Sequence, residues 1–215
     1  MLTGTCTWDL RRPAPVTHAT QTPQPRLHSA PRASAGLRVS ASLGSVRRGV
    51  RNSWNVGWLA IFLTSSFGVA LLGGRVTMGA VAEWYPTLRK PSWTPPAWIF
   101  GPVWTVLYTL MAVAAWLVRR GASARPAQAR SALRLWWLQL ALNLSWSLVF
   151  FGRRRPDWGL VVIGALEPAI VGTALLAIRV SRVGAALLVP YGVWTAFALA
   201  LNYRITQLNR TPQAS

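Results

Sequence analysis

Long stretches without a single charged side chain constrain this sequence more than anything else in it. Val56 to Gly74, Pro91 to Val118, Leu135 to Gly152 and Val183 to Tyr203 hold none, and Trp158 to Ile178 holds only Glu167. A hydrocarbon core about 30 Å thick takes about 20 mostly apolar residues to cross as a helix. Lipid offers no partner to exposed backbone N–H and C=O groups, so spanning segments must be helices or closed barrels, and these windows are too long for barrel strands. The pattern predicts an all-α protein, an integral membrane bundle of five transmembrane helices within residues 51–215. The Leu135 window is the shortest, and it lengthens towards its N-terminus if the Arg134 side chain snorkels.

Residues 1–50 read differently. Arg11, Arg12, Arg26, Arg32, Arg38, Arg47 and Arg48 stand there against Asp9, among many Ala, Ser, Thr and Pro. Arg-rich, Ser-rich and acid-poor composition is that of an organelle transit peptide, and an upstream start translated through a GC-rich leader gives much the same composition. Either origin predicts a disordered N-terminal extension. The first places the protein in a mitochondrial or plastid membrane, the second in a bacterial plasma membrane.

The chain has 23 Lys and Arg against 4 Asp and Glu, a formal charge of +19. Such a balance first suggests phosphate and nucleic acid. Past residue 46, however, the basic residues fall mainly at window borders. Arg47, Arg48, Arg51, Arg119, Arg120, Arg125, Arg130, Arg134, Arg179 and Arg182 gather on one side; Arg75, Arg89, Lys90, Arg153, Arg154, Arg155, Arg204 and Arg210 gather on the other. Ten against eight is too even to orient the chain by the positive-inside rule. A basic rim facing anionic lipid headgroups explains the charge, so membrane lipid is the expected partner and nucleic acid is not.

The chemical inventory excludes much. Cys6, His18 and His28 are the only cysteine and histidines. From Arg51 onward there is no Ser-His-Asp or Cys-His arrangement, no zinc site and no histidine for haem iron. No metal and no required cofactor is expected.

Thirteen tryptophans are the strongest remaining signal. Most lie near window ends, as an interfacial aromatic belt requires. Trp104, Trp146 and Trp194 lie near window centres, where an indole N–H needs a partner and the ring should face the bundle interior. Phe100, Trp104 and Tyr108 follow at intervals of four. Trp136, Gln139, Asn143, Trp146 and Phe150 share one helical face, and Tyr191, Trp194, Ala198, Leu201 and Asn202 another. Large flat rings with a few amides suit a flat, largely apolar ligand; they equally suit core packing between helices. Glu167, directly before Pro168 and at bilayer depth, is either a functional acid or a group packed in a polar gap beside the proline. Gly164, Ala165, Pro168, Ala169 and Gly172 offer that helix a small-residue face for another helix, in the bundle or in a homodimer.

Glu83 to Pro102 is the least generic segment. Pro86, Pro91, Pro95 and Pro96 forbid a continuous helix and force a partly extended loop. Trp84, Tyr85 and Trp93 would fold it over the bundle mouth as an aromatic lid, with Arg89 and Lys90 available for ligand carboxylates.

The sequence WYPTLRKPSWTPP at Trp84 to Pro96, FGPVWTVLY at Phe100 to Tyr108, LALN at Leu140 to Asn143, the Trp146 to Gly152 run ending in FFG, and PYGVW at Pro190 to Trp194 continuing to Asn202 resemble the translocator protein family, also called tryptophan-rich sensory proteins. The resemblance covers roughly residues 54–209. It implies a five-helix bundle, often dimeric, that binds porphyrins such as protoporphyrin IX and haem and, in some members, sterols. By position it implies a ligand cavity using Tyr85, Phe100, Trp104, Asn143, Trp146, Trp158, Trp194, Ala198 and Leu201. Trp104 and Trp194 match the two tryptophans tied in some members to light-dependent porphyrin breakdown, so they are the candidate catalytic residues if the protein is an enzyme.

Two departures bear on function. The sterol-recognition pattern needs a basic residue two to six positions after a tyrosine, and Tyr203 is followed by Arg204 and Arg210. Sterol transport is therefore discounted. Many members also carry an acid where this chain has Val162, more than a turn before Glu167. The expectation is a membrane receptor or carrier for tetrapyrroles, acting in their handling, transport or stress signalling. A light- or oxidant-dependent porphyrin-degrading enzyme is the alternative.

Overall fold

The computed structural model describes the backbone of residues 34–209 and the side chains of residues 55–209. The expected N-terminal extension lies largely outside the described residues. Helix α1 (Ser34–Glu83) begins within its last third. All five spans lie in the compact unit Gly44–Ser215.

The five spans are Asn55–Glu83, Ala97–Ser123, Pro126–Gly152, Pro156–Ala177 and Arg182–Leu208, and no strand occurs among the described residues. The first is the end of α1. The second is a 3-10 turn (Ala97–Ile99) leading into α2 (Phe100–Arg120); the third is α3 (Pro126–Ser147) continued by a π turn (Leu148–Gly152). The fourth is α4 (Pro156–Ala177), and the fifth divides into α5 (Arg182–Ala186) and α6 (Val189–Leu208). Prolines open α3, α4 and α6 in the first turn, where a missing N–H costs nothing and a fixed φ is already helical.

Several boundaries differ from the charge-free windows, for physical reasons. The first span runs past Arg75 to Glu83, with Arg75 exposed. The third starts two turns before Arg134, and Arg130 and Arg134 both point outward. Pro91 to Pro96 is non-helical loop, with a turn closed by the Thr94 N–H on the Pro91 carbonyl oxygen at 3.1 Å, so α2 starts nine residues later than its window. Pro168 does not break α4: its exposed ring sits in a continuous helix, and the Gly164 carbonyl oxygen is the one that loses its helical donor.

The core is built around α2. Met111, Ala112, Ala114 and Ala115 are almost fully buried, and the three alanines let neighbouring helices approach closely. Trp136 and Leu140 of α3, Ile163, Leu166 and Ile170 of α4, and Tyr191 of α6 close over them. The Trp136 indole donates to the Met111 carbonyl oxygen at 3.0 Å, satisfying a polar group that lipid would leave unpaired. Gly121, just past the end of α2, abuts the turn after α4: a Cβ there would lie 2.8 Å from Val180 Cγ1 and 3.1 Å from its carbonyl oxygen. Helix α1 is the least embedded span. It touches α3 through Phe62, whose ring meets Trp136 edge-on at 5.1 Å, and through Gly73 beside Ser147.

Candidate functional site

Because α1 meets α3 only along one edge, a cavity of about 600 Å³ opens between α1, α2 and the ends of α3 and α6. Its walls are mostly apolar. Phe67, Gly73, Thr77 and Met78 come from α1, and Phe100, Gly101, Trp104, Thr105 and Tyr108 from α2. Trp146, Ser147, Phe150 and Phe151 come from α3 and its π turn, and Ala198, Leu201, Asn202 and Ile205 from α6. The π turn matters here. An inserted residue advances the helix face, so consecutive Phe150 and Phe151 both reach the wall, their rings 4.7 Å apart.

The polar groups at the wall are anchored behind it. Asn202 Oδ1 accepts from the Trp146 indole at 3.1 Å, while Asn202 Nδ2 donates to the Pro156 carbonyl oxygen at 2.8 Å. One amide thereby fixes the Trp146 ring plane and ties α6 to the start of α4. Tyr108 donates its hydroxyl proton to Asn143 Oδ1 at 2.6 Å, and Asn143 Nδ2 donates to the Tyr191 hydroxyl oxygen at 3.2 Å. This Tyr-Asn-Tyr bridge joins α2, α3 and α6 through buried side chains.

The loop after α1 closes one end. Trp84 packs edge-on against Phe150 at 5.8 Å and Trp93 against Phe197 at 5.6 Å, while Tyr85 and Trp98 line the cavity itself. Asn209 clips the loop to the end of α6: its Oδ1 accepts from the Arg89 N–H at 3.0 Å and its Nδ2 donates to the Arg89 carbonyl oxygen at 2.9 Å. Burial raises the Tyr85 hydroxyl above its ordinary pKa of 10.0, so it is a neutral donor at physiological pH.

Of the residues expected at the site, Tyr85, Phe100, Trp104, Trp146, Ala198 and Leu201 all line the cavity. Asn143 lies one layer behind it, occupied by the two tyrosines. Trp194 sits off the wall, packed against Phe100 at 5.8 Å and Phe197 at 5.5 Å, and its buried indole N–H has no partner among the described residues. Trp158 is 57% exposed on the outer face of α4. Lys90 points into its own loop, donating to the carbonyl oxygens of Tyr85 at 2.7 Å and Leu88 at 3.2 Å. Arg89 is exposed. Glu167 lies outside the cavity wall, half-buried, with Oε1 lacking a partner among the described residues. The described residues contain no group of three His, Cys, Asp or Glu placed to hold a metal ion.

Residues 60–208 match the model of the TspO/MBR family. The chain belongs to the TspO/MBR family. It is 42% identical over 151 residues to a tryptophan-rich protein TspO from Chlorobaculum tepidum, covering 70% of this chain and 95% of that protein. The human translocator protein is 39% identical over 147 residues, 68% of this chain and 86% of that one. A tryptophan-rich sensory protein from Cereibacter sphaeroides is 36% identical over 158 residues, 72% and 94% respectively. Family membership and the five apolar spans together make this a multi-pass membrane protein.

The α1 wall was not anticipated. Phe67, Ala70, Gly74, Thr77 and Val81 recur at helical intervals of three and four, a signal present in the sequence but free of tryptophan and amide.

Proposed function

We propose that this TspO/MBR protein is a membrane receptor or carrier that holds a tetrapyrrole, protoporphyrin IX or haem, in the aromatic cavity. The observation that carries this reading is the wall itself: Trp104 and Trp146 flank an apolar space of about 600 Å³, a size typical of sites for single organic ligands. A flat conjugated ring stacks on the indoles. Thr77, Thr105 and Ser147 supply the few hydrogen bonds that orient it. Arg89, exposed on the loop, is the cation for a ligand carboxylate, because Lys90 is engaged by backbone carbonyl oxygens. With no histidine or cysteine in residues 51–215, recognition rests on the ring and not on iron, so metal-free porphyrin should bind.

Titration of the detergent-solubilised protein with protoporphyrin IX tests this. The expected result is saturable quenching of tryptophan emission and a raised unfolding temperature, since a ligand that binds only the folded state stabilises it. Trp104→Ala combined with Trp146→Ala should abolish both. Unchanged saturation in that variant overturns the assignment. The degradative alternative built on Trp104 and Trp194 draws less support, since Trp194 is off the wall. Gly164, Ala165 and Pro168 are exposed on α4 and form the face on which a second copy would pack.

A further inference from the structure

A second concavity lies at the opposite end of the bundle, where the first span begins, α2 ends and α3 starts. It encloses about 420 Å³, with Trp58, Arg119, Ser123, Ala129, Arg130 and Leu133 among its walls. Its two halves differ in chemistry. Ala129, Leu133 and the Trp58 ring make an apolar floor, while Arg119, Arg130 and the Ser123 hydroxyl make a polar, cationic rim.

The rim is held in place. The Trp116 indole donates to the Asn55 carbonyl oxygen at 2.8 Å, pinning the start of the first span to the end of α2. Over that joint the Arg119 guanidinium stacks on Trp58 at 4.8 Å and the Arg120 guanidinium on Trp116 at 4.7 Å. Stacking fixes a guanidinium plane while leaving its edge N–H groups free to donate. Charge at this end is one-sided. Arg119, Arg120, Arg125, Arg130, Arg134, Arg179 and Arg182 all lie here. Among the described residues no acid accompanies them: Glu83 and Asp157 pair with Arg154 and Arg155 at the other end, and Glu167 is in mid-helix.

We propose that this concavity is a binding site for an anionic phospholipid, with the headgroup phosphate between Arg119 and Arg130 and an acyl chain along Trp58 and Leu133. Two guanidiniums make bidentate contacts to phosphate oxygens. The apolar floor at a helix border takes a chain that a free phosphate lacks. Helix α3 adds to the same field, since its first turn has no side-chain cap.

The full-length protein in a neutral detergent, titrated with phosphatidylglycerol, phosphatidylcholine or inorganic phosphate, tests the site by its unfolding temperature. Phosphatidylglycerol should stabilise at a concentration roughly tenfold or more below phosphatidylcholine, given the worth of an arginine near an anionic headgroup. Arg119→Ala with Arg130→Ala should erase that difference, and Arg119→Lys with Arg130→Lys should keep part of it. Arg153→Ala with Arg204→Ala, at the other end, should leave it intact. Equal response to the two lipids, or a preference that survives the alanine pair, overturns the proposal. Stabilisation by inorganic phosphate alone, matching the lipid, overturns it in favour of a free-anion site. If the alanine pair fails to fold, loss of the preference in Arg130→Ala alone decides the same question, because Arg130 is exposed and outside the core.

Discussion

Replacing Asn143 by leucine tests the wall support most sharply. Asn143 is 1% exposed, and its amide serves the hydroxyls of Tyr108 and Tyr191, which are 5% and 0% exposed. Asn143→Leu keeps the branched shape and heavy-atom count but removes the amide that both hydroxyls use. Each orphaned polar group costs about 1–3 kcal/mol, so the pair costs about 2–6 kcal/mol. At about 2–4 °C per kcal/mol for a chain of this size, the midpoint falls by roughly 4–24 °C. Tyr108→Phe and Tyr191→Phe each leave one amide atom unpaired and should cost about half as much. The triple variant carries no stranded partner within the bridge and should recover most of the loss, despite having three substitutions. Thermal unfolding of the five proteins in one detergent, followed by circular dichroism, measures this. If the costs add, so that the triple variant is the least stable, the bridge is not a coupled unit and its two hydrogen bonds do not govern the interior.

Three further outcomes follow from the geometry. Gly73→Val puts a branched side chain where even a Cβ lies 3.2 Å from Ser147 Oγ, so it should push α1 off α3 and cost about 1–3 kcal/mol in thermal unfolding, whereas Gly74→Ala, with open space at its Cβ, should be silent. Trp158→Ala should leave porphyrin affinity within about twofold in the quenching titration, since its ring faces away from the cavity and adds only exposed surface. Tyr85 has its folded pKa raised by burial, so its stabilisation is complete below pH 10.0 and is lost as pH rises through the folded value; Tyr85→Phe should flatten the alkaline limb of a stability-against-pH profile.

What could be read before folding was decided by period and by residue rarity. Tryptophans at window centres and rings four apart placed Trp104 and Trp146 on one inner surface, because a helix carries that arithmetic unchanged into the bundle. Period reports direction and not depth. Asn143 shares a helical face with Trp146 yet stands behind the wall, since its amide satisfies two tyrosines from other helices. Trp194 points inward as its position requires but is claimed by Phe100 and Phe197. The loop was legible as a proline-rigid strap, whereas the fate of Lys90 depends on how the strap coils back on its own carbonyl groups, which no spacing encodes. On α1 the glycines and short side chains carried no aromatic or amide signal, and they form one wall of the cavity.

That space has a lateral side. Phe67 and Met78 of α1 and Gly101 and Thr105 of α2 belong to the cavity wall and are also exposed, so the seam between the two helices is open at membrane depth. If the proposed tetrapyrrole enters there, it arrives from the acyl-chain phase, in which its largely apolar ring is enriched over water. Occupancy then depends on ligand per lipid and not on ligand per litre. Diluting a fixed amount of ligand with more bilayer lowers occupancy at constant protein, and two membranes of different lipid content report different apparent affinities for one unchanged site.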